Sequence, residues 1–510
     1  MGMQIYFGHG NQAEVNDLTT QTTISRKVLL LDEAYGLGKD VLGGKGHGLV
    51  EMNHAGLPVP PGIIVTTAVC SDYYSSGRRF PEELMPIVIS KMKDIEAKTG
   101  KRFGESLLVS VRSGAPLSMP GMMDTILNLG LNDKVLQYLI TSTKNERFAY
   151  DAYRRFVQMY SKIVEQVEGS LFEDLIQKKK DSKNVKNDVD LDAKDLAELV
   201  KEFKQLFKDK TGREFPDDPK EQLRSAIEAV LRSWNGKRAI EYRRFYKISD
   251  NMGTAVNIVA MVFGNTGNNS GSGVGFTRNP STGEKKLFSE FLINAQGEDV
   301  VSGARTPLSI DEIKEKIPKL YEQISQIASM LENHYKDMQD FEFTVEDGKL
   351  WMLQTRTGKR TAQAAVKIAL DLVKERTIKE DEALMRVEPT QLDQLLHKHI
   401  DPKAHVDVLV RGIAASPGAA VGKAVFDTNR AAEMGKAGES VILVRRETAP
   451  EDIHGMIASQ GVLTQRGGKT CHAAVVARGM GKPAVVGAES LLILDGREEY
   501  SIKVLFLELL

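Results

Sequence analysis

The sequence predicts an α+β multidomain protein, and three observations carry that expectation. Its 510 residues exceed what a single core organises; at roughly 150 residues per domain, about three folding units are expected. The texture of the chain changes from short apolar runs to long amphipathic stretches and back again. Composition, with 41% hydrophobic and 27% charged residues, is that of a globular protein and suggests neither disorder nor a disulfide scaffold.

Taken in order, Lys27 to about Thr67 reads as apolar runs broken by glycine and proline (LLLDEA, LGGKGHGL, GLPVPPGIIVTT), suiting strands and loops with one short helix. From about Asn145 to Ser233, aromatic and aliphatic residues recur at helical spacing, as in RFAYDAYRRFVQMYSKIVEQV, and predict a helical insertion at about 134–235. Inside it, KKKDSKNVKNDVDLD (Lys178 to Asp192) is polar and charge-mixed and reads as a solvated loop. A second strand-rich zone spans Thr254 to Asn294, and EFTVEDGKLWMLQ predicts a hairpin turning at Asp347 and Gly348. Ala365, Ile368, Ala369, Leu372 and Val373 then share one helical face until Pro389, which makes residues 359–403 a helical linker. From 404 to 510, short β-rich runs (VLVRGIAA, AVGKAVF, ESVILVRR, SQGVLTQ) surround one small helix and predict a separate compact domain.

Several functional classes are disfavoured. With 68 Lys+Arg against 69 Asp+Glu, the net charge of -1 lacks the electrostatic footprint of a nucleic-acid binder. Cys70 and Cys471 are far apart and outside any zinc-ligand or CxxC spacing. MGMQIYFGHG lacks the basic start and apolar run of a signal peptide, and no 18-residue apolar run is available to span a membrane. A cytoplasmic location without membrane attachment is the expectation.

The most informative segment is GGKTCHAAVVARGMGKPAVVG, residues 467–487. Thr470 is placed to cap a short helix that starts near His472 and stops at Gly479, with Pro483 beyond it. That puts His472 at a helix N-terminus, where backbone N–H groups and the dipole would receive a phosphoryl group and favour a neutral, nucleophilic ring; the alternative is a histidine that is merely the polar start of a core helix. GGKT is not the end of a P-loop, because the required glycine is replaced by Leu463. Cys471 at the same helix start is expected to have a lowered thiol pKa, with an inert buried thiol as the alternative. Asp340 and Glu342, two apart on one strand face, present hard oxygens of the kind magnesium uses, and Gln354 and Arg356 are similarly paired on the partner strand.

The 467–487 segment resembles the phosphohistidine signature of the pyruvate phosphate dikinases and their relatives, phosphoenolpyruvate synthases and enzyme I of the sugar phosphotransferase system. SPGAAVGKAVF (Ser416 to Phe426) and RRETAPEDIHGM (Arg445 to Met456) resemble the same swivelling domain. VLGGKGHGLVEM, GLPVPPGIIVTT, LLVSVRSGAPLSMPGMMDTILNLGLND, SGSGVGFTRNPSTGEK, NAQGEDVVSGARTP and DFEFTVEDGKLWMLQTRTGKRT are similar to the dikinases' nucleotide-binding part. The resemblance implies an ATP-grasp domain over 1–358 with its helical insertion, the linker at 359–403, and a swivelling β/β/α phosphohistidine domain over 404–510, incomplete at its C-terminal end.

By the same resemblance His472 is the phosphorylated residue and Thr470 a possible regulatory position. Lys45, Arg112, Gly121, Asp124, Thr125, Arg155, Gln354 and Arg356 are ATP-site residues, and Asp340 and Glu342 hold Mg2+. Several cations with flexible backbone donors are what a triphosphate needs. Lys469 and Cys471 depart from the family's usual methionine and serine. The resemblance fades after Gly487, and no residues match the family's pyruvate-binding barrel. The implied activity is therefore the ATP and phosphate half of the dikinase reaction. Its partners are ATP/AMP, phosphate/pyrophosphate and a separate barrel domain or subunit, with a homodimer also open. Alternatives are a phosphoenolpyruvate synthase-like or antibiotic phosphotransferase half-enzyme, separated by dependence on orthophosphate, and a non-catalytic regulatory remnant.

Overall fold

The computed structural model describes residues 27–119, 121–302, 305–389, 391–392, 408–491 and 493. The N-terminal MGMQIYFGHG segment, the second half of the linker and the closing residues of the last domain lie outside them. The chain is a mixed helix and sheet protein of several domains. It divides into two compact units, one within Met1–His54, Pro60–Met119 and Met123–Met261, the other within Ala55–Val59, Pro120–Met122 and Val262–Leu510. Among the described residues, no helix is long and apolar enough to cross a membrane.

The first unit is built on an antiparallel sheet of β1 (Val28–Leu30), β2 (Gly62–Val65), β3 (Val109–Gly114), β4 (Thr125–Leu129) and β5 (Ala255–Ala260) in the order β1-β2-β5-β3-β4. Ile63, Ile64, Val109, Val111 and Ile258 are fully buried in it. The GGKG run lies in α1 (Lys39–His54), kinked at Gly43, and α2 (Thr67–Ser75) and α3 (Leu84–Thr99) follow. The helical part comprises α4 (Asp133–Thr143), α5 (Glu146–Val164), α6 (Gly169–Lys183), α7 (Ala193–Thr211), α8 (Pro219–Ser233) and α9 (Lys237–Phe245). Asn145 caps α5 by accepting from the Phe148 N–H at 3.0 Å, and Phe156 and Tyr160 of that helix pack edge-on against Phe215.

The expected loop at Lys178 to Asp192 is corrected here, because α6 continues to Lys183. Burial of Phe172 and Ile176 anchors the helix. Its basic end is paired rather than merely solvated: Lys179 meets Glu198 at 2.9 Å and Lys180 meets Asp188 at 3.2 Å. The loop begins only at Asn184, which takes the left-handed conformation at the helix end.

In the second unit β6 (Gly271–Phe276), β7 (Phe288–Ile293), β8 (Leu308–Ser309), β9 (Gln339–Glu346) and β10 (Lys349–Thr357) form an antiparallel sheet in the order β10-β9-β6-β7-β8. The GSGVGF run is explained by one face of this sheet. A Cβ on Gly271, Gly273 or Gly275 would lie within 2.2–2.4 Å of ring atoms of Phe291, Phe343 or Phe341, so only glycine lets these rings cross β6. The opposite face carries Asp340, Glu342 and Glu290, since Val274 is registered with both Glu342 and Glu290. The hairpin turns at Asp347 and Gly348, both at positive φ, as the sequence predicts. Helices α10 (Gly297–Ser302), α11 (Ile310–Lys316), α12 (Pro318–Tyr335), α13 (Ala362–Lys374) and α14 (Glu380–Arg386) accompany the sheet. The predicted apolar face of the linker is α13, whose Ile368 and Leu372 are buried with Phe276 and Met338.

The remaining sheet, β11 (Ile413–Ser416), β12 (Lys423–Val425), β13 (Val441–Arg445), β14 (Gly461–Thr464) and β15 (Ala484–Val486), has the order β11-β15-β14-β13-β12. Its central pairings are parallel and only β11 is antiparallel. Three helices, α15 (Thr428–Lys436), α16 (Ile453–Ala458) and α17 (His472–Met480), replace the single helix expected. Parallel strands require crossovers, and α15, α16 and α17 lie on those connections.

Candidate functional site

In the first unit, the β3–β4 ladder places Arg112 opposite Thr125, with Asn257 of β5 on its other side. Asp124, one residue before β4, binds Arg238 of α9 at 3.3 Å. Lys45 follows the kink of α1. Arg155 of α5 pairs with Asp151 of the same helix at 3.0 Å, and its neighbour Arg154 is buried against the same carboxylate at 2.6 Å. The surrounding cations hold Asp151 well below the usual carboxylate range despite its burial.

In the second unit, strand register brings the four hairpin residues together as two pairs. Arg356 Nε donates to Asp340 Oδ2 at 2.7 Å, and Gln354 Nε2 donates to Glu342 Oε1 at 3.0 Å. Burial raises the Asp340 pKa, partly offset by Arg356. The Gln354 Oε1 atom is buried with no partner among the described residues.

His472 begins α17, as the sequence predicts. Its Nδ1 lies 3.0 Å from the Thr448 hydroxyl, while its Nε2 is buried and has no partner among the described residues. Burial lowers the imidazole pKa to about 4, with Asp452 and Glu451 opposing the shift, so the ring is neutral at pH 7. The turn carrying Thr448 is held by Asp452, which accepts from the Ala449 N–H at 2.8 Å and the Thr428 hydroxyl at 2.5 Å. Gly121 belongs to this unit: a Cβ there would lie 2.7 Å from Pro450 Cγ and 3.8 Å from His472 Cδ2.

Three local expectations need correction. The cap position of α17 is Cys471 and no side chain caps it. Thr470 instead donates its hydroxyl to Glu290 of β7 at 2.5 Å, a long-range contact that outcompetes local capping. The helix ends at Met480 with Gly481 left-handed, one turn-residue beyond the predicted stop at Gly479. Cys471 is 5% exposed and burial pushes its thiol up to about 11, so desolvation overrides the helix terminus. We expect iodoacetamide to spare Cys471 in the native protein and to label it after unfolding; labelling at equal rates in both states would overturn this assignment.

Sequence reasoning missed four contributors. Thr448 was inside a quoted motif but carried no separate signal. Glu290 is a buried carboxylate, raised in pKa by burial, that receives Thr470 from 180 positions away. Arg478 is 4% exposed, donates to the Ala415 and Lys469 carbonyls and lies near enough to Asp340 for their charges to interact. Lys359 closes the TRTGK run; burial first, then Arg356, lowers its ammonium pKa to about 8.

Among the described residues, no group of three or more His, Cys, Asp or Glu side chains is gathered to hold a metal. Asp340 and Glu342 supply two hard oxygen donors from one strand face. That set fits a Mg2+ ion completed by phosphate oxygens and water, and does not fit a metal enclosed by protein ligands alone.

The fold is that of a mixed helix and sheet protein of several domains, with a buried, neutral histidine at the start of a helix. Residues 77–318 and 311–377 match the family "Pyruvate phosphate dikinase, AMP/ATP-binding domain", and residues 437–504 match "PEP-utilising enzyme, mobile domain". The chain belongs to the pyruvate phosphate dikinase family. It is 51% identical to pyruvate, phosphate dikinase of Clostridium symbiosum over 485 residues, 94% of this chain and 56% of that protein. Against the enzyme of Rhizobium meliloti (strain 1021) identity is 50%, covering 91% of this chain and 53% of the relative. For Entamoeba histolytica the figures are 51%, 92% and 54%. The chain thus spans about half the length of the curated relatives it matches.

Proposed function

We propose that this chain carries out the ATP and phosphate half of a dikinase reaction, with His472 as the residue phosphorylated. The observation that carries the reading is the imidazole: neutral through burial, held at Nδ1 by Thr448, and with a buried Nε2 that has no partner among the described residues, at a helix N-terminus. With Nδ1–H donated to Thr448, the Nε2 lone pair is the nucleophile. Nε2 bonds to the β-phosphorus of ATP, the bond from that phosphorus to the α-phosphate bridge oxygen breaks, and AMP leaves. Inorganic phosphate then attacks the terminal phosphorus of the pyrophosphoryl group. Pyrophosphate departs and phosphohistidine remains.

In this reading Lys45, Arg112, Asp124, Thr125 and Arg155 of the first unit bind the triphosphate. Gly121, Gln354 and Arg356 of the second contribute backbone and side-chain contacts, and Asp340 and Glu342 hold Mg2+. When bound, that ion neutralises phosphate charge. The architecture belongs to the same proposal: an ATP-grasp domain to about 358, a linker at 359–403, and a swivelling phosphohistidine domain from 404. The linker lets the histidine visit a pyruvate site on a separate barrel.

The test is positional labelling. With phosphate present, ATP labelled at the β-position should leave label on the protein and ATP labelled at the γ-position should not, with AMP as the nucleotide product. The adduct should be acid-labile and alkali-stable. Retained γ-label or formation of ADP would sink the mechanism. Calorimetry with Mg-ATP should show Arg112→Ala losing about 1.5–3 kcal/mol of binding, the worth of hydrogen bonds to charged groups; unchanged affinity would remove Arg112 from the site.

A further inference from the structure

A cavity of about 400 Å3 in the first unit is lined by Arg78, Lys162, Arg232, Lys237 and Arg238, with Asp124 as its lining carboxylate. The five cations come from four segments: the turn after α2, α5, α8 and the start of α9. Their convergence on so small a volume is self-repulsive unless an anion is shared among them.

Lys237 and Arg238 occupy the first turn of α9, where the helix dipole disfavours positive charge, and that turn has no acidic residue. The same end is capped by Gly236, so no side-chain oxygen covers it, and Asn235, Gly236 and Lys237 all line the cavity. Among the described residues, Lys162 and Lys237 have no acidic partner, whereas Arg238 meets Asp124 at 3.3 Å. Arg232 is braced by donating to the Val164 carbonyl at 2.7 Å, which fixes its guanidinium at the wall.

We propose that this cavity is a binding site for a small, multiply charged phosphate anion, with inorganic pyrophosphate as its occupant. Naming pyrophosphate rests on the proposed reaction, which releases it; the cationic cavity stands apart from that reading. Of the residues assigned to ATP, only Asp124 lines it. Through the Arg238–Asp124 pair, an anion here competes for the cation that holds the segment leading into β4. Occupancy is therefore coupled to Asp124 and the start of β4.

Calorimetry with pyrophosphate alone, without nucleotide, tests the site. Wild type should bind it, and Lys162→Glu/Lys237→Glu should bind at least tenfold more weakly. Both lysines are exposed, so folding should survive; equal melting temperatures would verify this, and the milder Lys162→Gln/Lys237→Gln pair replaces the charge reversal if they differ. Affinity should fall with salt, and orthophosphate should bind more weakly than pyrophosphate. Absence of binding to wild type or full binding by the lysine variants would each overturn the site. None of these results depends on whether His472 is phosphorylated, so failure here and failure of the labelling experiment are distinguishable.

Discussion

Replacing His472 with alanine is expected to abolish protein-bound phosphate altogether while leaving Mg-ATP affinity near that of wild type. The imidazole supplies the only atom assigned to receive phosphorus, whereas every residue assigned to the nucleotide lies elsewhere in the chain. Loss of ATP binding in this variant would contradict the separation. Thr448→Val is expected to slow labelling about 100-fold, the lower end of what a positioned proton-bonding group contributes, and Thr448→Ser should restore most of it. A purely structural role for Thr448 would not discriminate between valine and serine at equal stability. The pH dependence follows from the ring's pKa near 4 against an ordinary 6.5. His472 should remain an unprotonated nucleophile to well below pH 6, which NMR titration of the imidazole can verify; a measured value near 6.5 would refute burial as the cause. The sign for stability is fixed by the same shift. Unfolded chains take up a proton near 6.5 and the folded ring only near 4, so this contribution is fully present above about 6.5 and is lost as pH falls toward 4.

Arg278→Met is expected to destabilise the second unit by about 3–5 kcal/mol, the cost of leaving buried charge without its partner. Arg278 is 0% exposed and its guanidinium meets Glu332 of α12 and Glu375, just after α13, each at 2.7 Å. Removing the cation leaves the buried Glu332 without its ion-pair partner, while Glu375 keeps Lys285 at 2.8 Å. Because the chain has two tryptophans, Trp234→Phe leaves Trp351 of β10 as a reporter of the second unit, and its denaturation midpoint measures the effect. A loss under about 1 kcal/mol would mean that water or rearranged partners solvate the carboxylates. Replacing Glu332 by Gln alongside Arg278→Met should recover part of the loss, since one uncompensated charge is then gone.

Features that depend on near neighbours were legible in the sequence. The β9–β10 hairpin follows from Asp347 and Gly348 at positive φ between alternating strands. That Asp340 and Glu342 share one strand face, and Gln354 and Arg356 one face of the partner, follows from strand alternation, whereas their pairing across the strands is set by a register shift between Met352 and Gln354 that the sequence does not announce. The position of His472 at a helix start follows from the glycines before it, although the stop read at Gly479 falls at Gly481. The length of α6 was misread because its basic residues are neutralised by Glu198 and Asp188, partners that its own pattern does not contain.

By itself, then, the sequence determined the mixed architecture, the family and the chemical types gathered on each segment, because periodicity, turn geometry and register act over a few residues. Only the tertiary structure decided the protonation of those groups and their partners. Cys471 became a weak acid rather than a reactive thiolate because α17 is buried, Thr470 turned from a cap into a ligand of Glu290 across 180 positions, and five cations from four segments met around one cavity. Desolvation and Coulomb interactions depend on distance in space, and chain folding sets those distances independently of separation along the sequence.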